Sequence, residues 1–95
     1  MNISELRPGL GRVNLVVKVE ELEKPRNVKS RYGSTTVVNG VISDKSGRAR
    51  IALWGPHGDE VSEGDVIEIV NGYVTEFRGE LQVNVGRYGQ IKKVR

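Results

Sequence analysis

Three aromatic side chains, Trp54, Tyr73 and Phe77, occupy positions where a flat ring can do chemistry rather than fill a core. Only five residues of the 95 are Phe, Trp or Tyr, so their placement is informative. In residues 48–54, Ala49, Ile51 and Leu53 share one strand parity, while Arg48, Arg50, Ala52 and Trp54 share the other. A tryptophan that served only as core would sit with Ile51 and Leu53. Beyond Gly72 the alternation puts Tyr73, Thr75 and Phe77 on one face and Val74 on the other. Exposed rings of this kind stack on the π faces of unpaired bases, each stack contributing ~1–3 kcal/mol, and duplex hides those faces. Neighbouring cations would contact phosphate or stack through a guanidinium: the candidates are Lys29, Arg31, Arg48, Arg50, Arg78 and Arg87. Thr75, Gln82 and Asn84 fall on the same outward parity and offer hydrogen bonds to sugar or base edges. The plainer alternative is a minor core, with Trp54 and Phe77 packed beneath residues 23–34 and the cations merely solvated.

Little else in the chain carries chemistry. His57 is the single histidine and there is no cysteine, so neither a thiolate metal site nor a disulfide is available, and His57 lacks company for acid–base work. Asp44, Asp59, Glu63 and Asp65 fall in turns, where carboxylates act as caps. No catalytic constellation and no cofactor are expected. The net charge of +3 is a mild basic excess, but it is sorted: Lys24, Arg26, Lys29 and Arg31 crowd one segment, and Lys92, Lys93 and Arg95 close the chain. No run approaches the ~20 apolar residues that span a bilayer, and the first residues lack a signal-peptide core. A cytoplasmic, nucleoid-associated protein without membrane contact is the expectation.

The elements that must position these residues are strands. Apolar stretches alternate with period two and are rich in Val and Ile, and no long window keeps a helical period. Strands are read at residues 12–21, 35–43, 48–54, 66–77 and 80–85. Residues 23–34 read as a long polar loop, Asp44-Lys45-Ser46-Gly47 as a hairpin turn, residues 59–65 as at most a helical turn, and Arg78-Gly79 as a tight turn. Gly72 marks a bend, and residues 86–95 an exit segment with one short apolar stretch. Leu81, Val83 and Val85 face inward with Val13, Leu15, Ile51 and Leu53. Tyr32 stands where it would close over a bound strand, and Tyr88 where it would pack near the barrel exit. Five antiparallel strands with this spacing close naturally as a single Greek-key barrel, one all-β domain over residues 1–95.

The order of Asp44-Lys45-Ser46-Gly47-Arg48, Leu53-Trp54-Gly55-Pro56-His57, Glu63-Gly64-Asp65, Asn71-Gly72-Tyr73, Phe77-Arg78-Gly79 and Asn84-Val85-Gly86 resembles the simple single-stranded DNA-binding proteins of archaea. It is similar also to their animal relatives in sensor-of-ssDNA complexes, one-barrel members of the replication protein A superfamily. The resemblance implies an OB fold and assigns base stacking to Trp54, Tyr73 and Phe77, with tyrosine at 73 where some archaeal members have tryptophan. Animal members have a further aromatic where this chain has Asn84. Archaeal members often continue into a Gly/Arg-rich or acidic tail, whereas this chain stops at Arg95, as a tailless protein or an excised domain would.

The leading expectation is therefore a non-enzymatic, monomeric protein that binds single-stranded DNA in replication, repair or strand protection. RNA is the alternative ligand on the same fold. A protein-interaction barrel within a larger replication complex, its aromatic face covered by another chain, is the alternative of a different class.

Overall fold

Five of the strands close into a barrel. In the computed structural model, which describes every residue except Tyr32 and the side chain of Ser30, β1 spans Val13–Leu22, β2 Arg26–Ser30, β3 Gly33–Asp44, β4 Gly47–Trp54, β5 Val66–Phe77, β6 Glu80–Val85 and β7 Gln90–Lys93. The hydrogen-bonded order is β1-β3-β4-β6-β5, and β1 pairs again with β5 to complete the ring. The expected five-stranded Greek-key barrel is thus the observed one. The role assigned to Tyr32 lies outside the described residues.

Alternation produces this closure because each strand has one apolar face to bury. Val13, Leu15, Val17 and Val19 from β1 meet Ile51 and Leu53 from β4, Ile67, Ile69 and Val74 from β5, and Val83 and Val85 from β6 in one continuous core. Each fully buried aliphatic side chain stabilises by roughly 1.5–3 kcal/mol relative to exposure. Ile3 and Leu6 join the same core from the N-terminal segment. They are held there by the β3–β4 turn: the Ile3 amide donates to Asp44 Oδ2 at 2.9 Å, and the Ser4 amide to Ser46 Oγ at 3.0 Å.

Four details differ from the sequence reading. The loop expected at 23–34 contains a strand, β2, whose residues Arg26 to Ser30 pair with Gly33 to Val37 at the start of β3. It pairs with β3 alone and none of its described side chains is buried, so no apolar alternation announces it. The β4–β6 seam is parallel, not antiparallel, because the whole of β5 lies in the connection between the two strands. The short helical turn is Gly55–Asp59, earlier than expected. Leu81 is only half-buried, since β4 begins to pair with β6 at Gln82, one residue beyond it.

β5 is bent where glycine predicted it. Its first half pairs with β1 and β7, and its second half with β6. The change comes at Asn71, with φ of 59°, and Gly72, where a Cβ would stand 3.1 Å from Ile69 Cγ2 and 3.2 Å from the Asn84 carbonyl oxygen. A side chain there would require its neighbours to give way, which suits glycine. Among the described residues no helix is long and apolar enough to cross a membrane.

Candidate nucleic-acid interface

The registers set the outward face of the barrel as a grid. Across one row, Val37 on β3 faces Trp54 on β4; across the next, Asn39, Ala52, Asn84 and Tyr73 lie side by side; across the third, Val41, Arg50, Gln82 and Thr75 do. Phe77 closes β5 opposite Glu80, and Arg48 pairs with Ser43. Trp54, Tyr73 and Phe77 therefore share this face, with Tyr73 42% and Phe77 47% exposed and Trp54 half-buried. Thr75, Gln82, Arg48 and Arg50 stand between them.

Asn84 organises the face from beneath. It has the outward parity expected of it but is only 3% exposed. Its Oδ1 accepts from Trp54 Nε1 at 3.4 Å and from Gln82 Nε2 at 3.1 Å. Its Nδ2 donates to Thr75 Oγ1 at 3.0 Å, to the Gln82 carbonyl at 3.3 Å and to the Tyr73 carbonyl at 3.4 Å. The expectation that Asn84 offers its amide to a ligand is corrected on this point: the group is committed to Trp54, Gln82, Thr75 and Tyr73. A buried amide with all its partners in place fixes rotamers around it. Ala52 and Val37, outward by parity, are buried too, so a small second layer lies beneath the aromatic face.

Two grooves cross this surface, each of about 530 Å³. One runs between Trp54 and Tyr73, with Pro56, His57 and Arg87 in its walls. Gly86 forms part of it, and a Cβ there would come within 3.3 Å of Tyr73 Cε1, so the ring lies directly against backbone. His57 secures this rim: Nε2 lies 3.0 Å from the Gly86 carbonyl oxygen and Nδ1 2.7 Å from Glu60 Oε1. His57 itself stands in the short helical turn Gly55–Asp59. The other groove is lined by Arg48, Arg50, Val41 and Leu81 between the acids Glu21 and Glu80.

The Ssb-like OB-fold family model, described as single-stranded DNA binding protein, matches residues 6–93. The chain belongs to this family. The protein is similar to the single-stranded DNA binding protein Ssb of Saccharolobus solfataricus, with 33% identity over 89 residues, covering 94% of this chain and 60% of that protein. The chain thus spans less than two thirds of that relative's length. Its fold matches an OB domain from Thermoplasma acidophilum with a TM-score of 0.84 and 26% identity, covering 99% of this chain and 85% of that one. The second OB-fold domain of replication protein A from Methanococcus maripaludis aligns with a TM-score of 0.82 and 26% identity, covering 99% and 93%.

The cations of this Ssb-like barrel divide by position. Arg50 reaches Glu23 at 3.5 Å and Glu80 at 3.9 Å, while its Nε is buried without a hydrogen-bond partner. Arg78 lies over the Phe77 ring at 5.2 Å from its centroid, and Arg87 over Tyr88 at 5.6 Å. Arg31 is exposed in the β2–β3 turn. Lys29 pairs with Ser34, on the side of the hairpin opposite to Val37 and Trp54, so the register does not bring it to the aromatic face. Arg26, which pairs with Val37, is there instead. Sequence reasoning passed over Arg26 as a site residue because the register of an unrecognised strand was needed to place it. Tyr88, expected to pack near the barrel exit, is 77% exposed. Among the described residues no group of three or more His, Cys, Asp or Glu side chains is placed to hold a metal ion.

Proposed function

We propose that this chain is one domain over residues 1–95 that binds single-stranded DNA with little sequence preference, inside the cell, in replication, repair or protection of exposed strands, and that it acts by binding alone, without catalysis. The observation that carries this reading is the common outward placement of Trp54, Tyr73 and Phe77 on a face braced by Asn84. Successive bases stack on the three rings, Arg48 and Arg50 meet phosphate, and Thr75 and Gln82 offer hydrogen bonds alongside. Arg78 extends the Phe77 platform with its guanidinium plane. The S. solfataricus relative named as a single-stranded DNA binding protein supports the same ligand.

Trp54 is the single tryptophan, so intrinsic emission reports on this site directly. Oligo-dT of about ten nucleotides quenches it, and duplex of equal length quenches far less; equal quenching by duplex overturns stacking. Affinity falls as salt rises, with a log–log slope of a few units. Trp54→Ala, Tyr73→Ala and Phe77→Ala each weaken binding by about 1–3 kcal/mol, whereas Ile51→Ala acts on stability, by about 2–5 kcal/mol, and on binding only through unfolding. Matched oligo-U distinguishes a DNA-selective site from one that takes RNA equally.

A further inference from the structure

Tyr88 is the most exposed large apolar side chain among the described residues, at 77%, yet the backbone that presents it is fixed. The Gly89 amide donates to the Gly86 carbonyl at 3.1 Å. The Tyr88 carbonyl accepts from Asn71 Nδ2 at 3.1 Å, and the Asn71 amide donates to Asn14 Oδ1 at 3.0 Å. Gly89 itself is seated so closely that a Cβ would stand 2.9 Å from Val85 Cγ1. A rigid backbone carrying a freely exposed ring is the arrangement of a pre-built contact residue, because little ordering entropy remains to be lost on binding.

The surroundings supply the rest of a site. A hollow of about 180 Å³ opens between Tyr73 and Tyr88, with Arg12, Asn71 and Arg87 around it. It adjoins the Trp54–Tyr73 groove, since Tyr73, Gly86 and Arg87 line both. Arg87 lies over one side of the Tyr88 ring. Three non-glycine residues among those described have positive φ: Arg12 at 53°, Asn71 at 59° and Arg78 at 53°. Two of them border this hollow, and the third flanks Phe77 at the opposite end of the aromatic row. Such conformations are strained for residues that carry a Cβ and concentrate at ligand-binding positions.

We propose that Tyr88, with Arg12 and Arg87, forms a fourth subsite that stacks the base following the one on Tyr73 and neutralises its phosphate. The track then runs from Phe77 to Tyr73, with Trp54 across the groove it shares with Tyr73, and on to Tyr88, and the subsite takes an unpaired nucleotide of any base. This rests on the single-strand reading of the barrel face.

The test is a length series of oligo-dT, read by Trp54 quenching, on wild type, Tyr88→Ala, Tyr88→Phe and Arg12→Gly. Arg12→Gly removes the charge and relaxes the backbone, so weakened binding there does not come from misfolding; thermal melts verify this for all variants. Tyr88→Ala is expected to weaken binding about fivefold or more for oligonucleotides long enough to saturate the wild type, and to leave the shortest quenching oligonucleotide unaffected. Tyr88→Phe retains wild-type affinity, and Arg12→Gly loses affinity in the long range with a shallower salt slope. Identical length profiles for wild type and Tyr88→Ala overturn the fourth subsite, as does a uniform loss at every length, which would place Tyr88 among the supports of Tyr73. If no oligonucleotide quenches the wild type, the failure belongs to the single-strand reading itself.

Discussion

The indole nitrogen of Trp54 donates to Oδ1 of Asn84 at 3.4 Å, across thirty positions of sequence. The ring is thereby tethered at its polar edge while it lines the groove it shares with Tyr73, and the same carboxamide reaches the strand that carries Tyr73 and Thr75. One buried side chain thus sets the spacing between rings on β4 and β5. A face that stacks bases gains from such bracing, because the rings need not be ordered when the ligand arrives.

Asn84→Leu tests the bracing. It fills the space with an apolar group and leaves Trp54 Nε1, the Gln82 amide and Thr75 Oγ1 without their partner. Stability should fall by about 1–3 kcal/mol for the unsatisfied groups, and oligo-dT affinity should fall beyond that because Trp54 and Tyr73 lose their relative orientation. Denaturant melts beside fluorescence titrations measure the two effects; full affinity in the folded variant would remove Asn84 from the binding mechanism.

Arg78 offers a change that separates binding from folding in the opposite sense. It and Gly79 both have positive φ in the two-residue β5–β6 turn, a conformation that favours Asn-Gly. Arg78→Asn should leave stability unchanged or raise it by up to about 1 kcal/mol. Affinity should drop severalfold, since the cation over Phe77 is gone. A variant that is both more stable and equally tight would show that Arg78 is only a strained turn residue.

Glu80 competes for the guanidinium that should meet phosphate. Arg50 lies within 3.9 Å of it, and the buried Arg50 Nε still lacks an acceptor, which an incoming phosphate oxygen would supply. Glu80→Gln is expected to tighten oligo-dT binding severalfold at low salt. Glu76→Gln, the same charge change at a position of opposite parity on β5, should give a smaller gain through long-range attraction alone. Equal gains for the two would leave Arg50 with no special part.

Asp44 makes folding pH-dependent. Desolvation raises its pKa, but hydrogen bonds from the Ser46 hydroxyl and from the Ile3, Ser46 and Gly47 amides outweigh this and hold the carboxyl below its usual value. A depressed folded-state pKa means the stabilisation is fully present above the unfolded value, about 3.9, and disappears as pH falls through the lower folded value. Glu20, lowered mainly by the Ser43 hydroxyl, acts in the same direction. Asp44→Asn should therefore be less stable at neutral pH and lose less on acidification. Melting temperatures between pH 7 and pH 2 provide the check; parallel curves for the two proteins would rule out this carboxylate as the cause.

The sequence by itself determined the barrel and the aromatic face. Strand parity is a local property: side chains two apart share a face, so Ile51 and Leu53 going inward forces Trp54 outward, and Val74 inward forces Tyr73 outward. Gly72 and Arg78-Gly79 were legible for the same reason, since turn and bend chemistry is written in adjacent residues. Only the tertiary structure decided what depends on register between distant strands. Strand parity turns Asn84 outward, but its burial needs Trp54 from β4 and Tyr73 from β5 brought over it. Arg26 rather than Lys29 shares the side of the aromatic face because β2 pairs in one register with β3, and a short, mostly polar edge strand leaves no periodic signal of that pairing. Tyr88 gave no signal for a comparable reason: its exposure follows from the Gly86–Gly89 turn packing against Asn71 and Val85, contacts between segments that only closure of the barrel brings together.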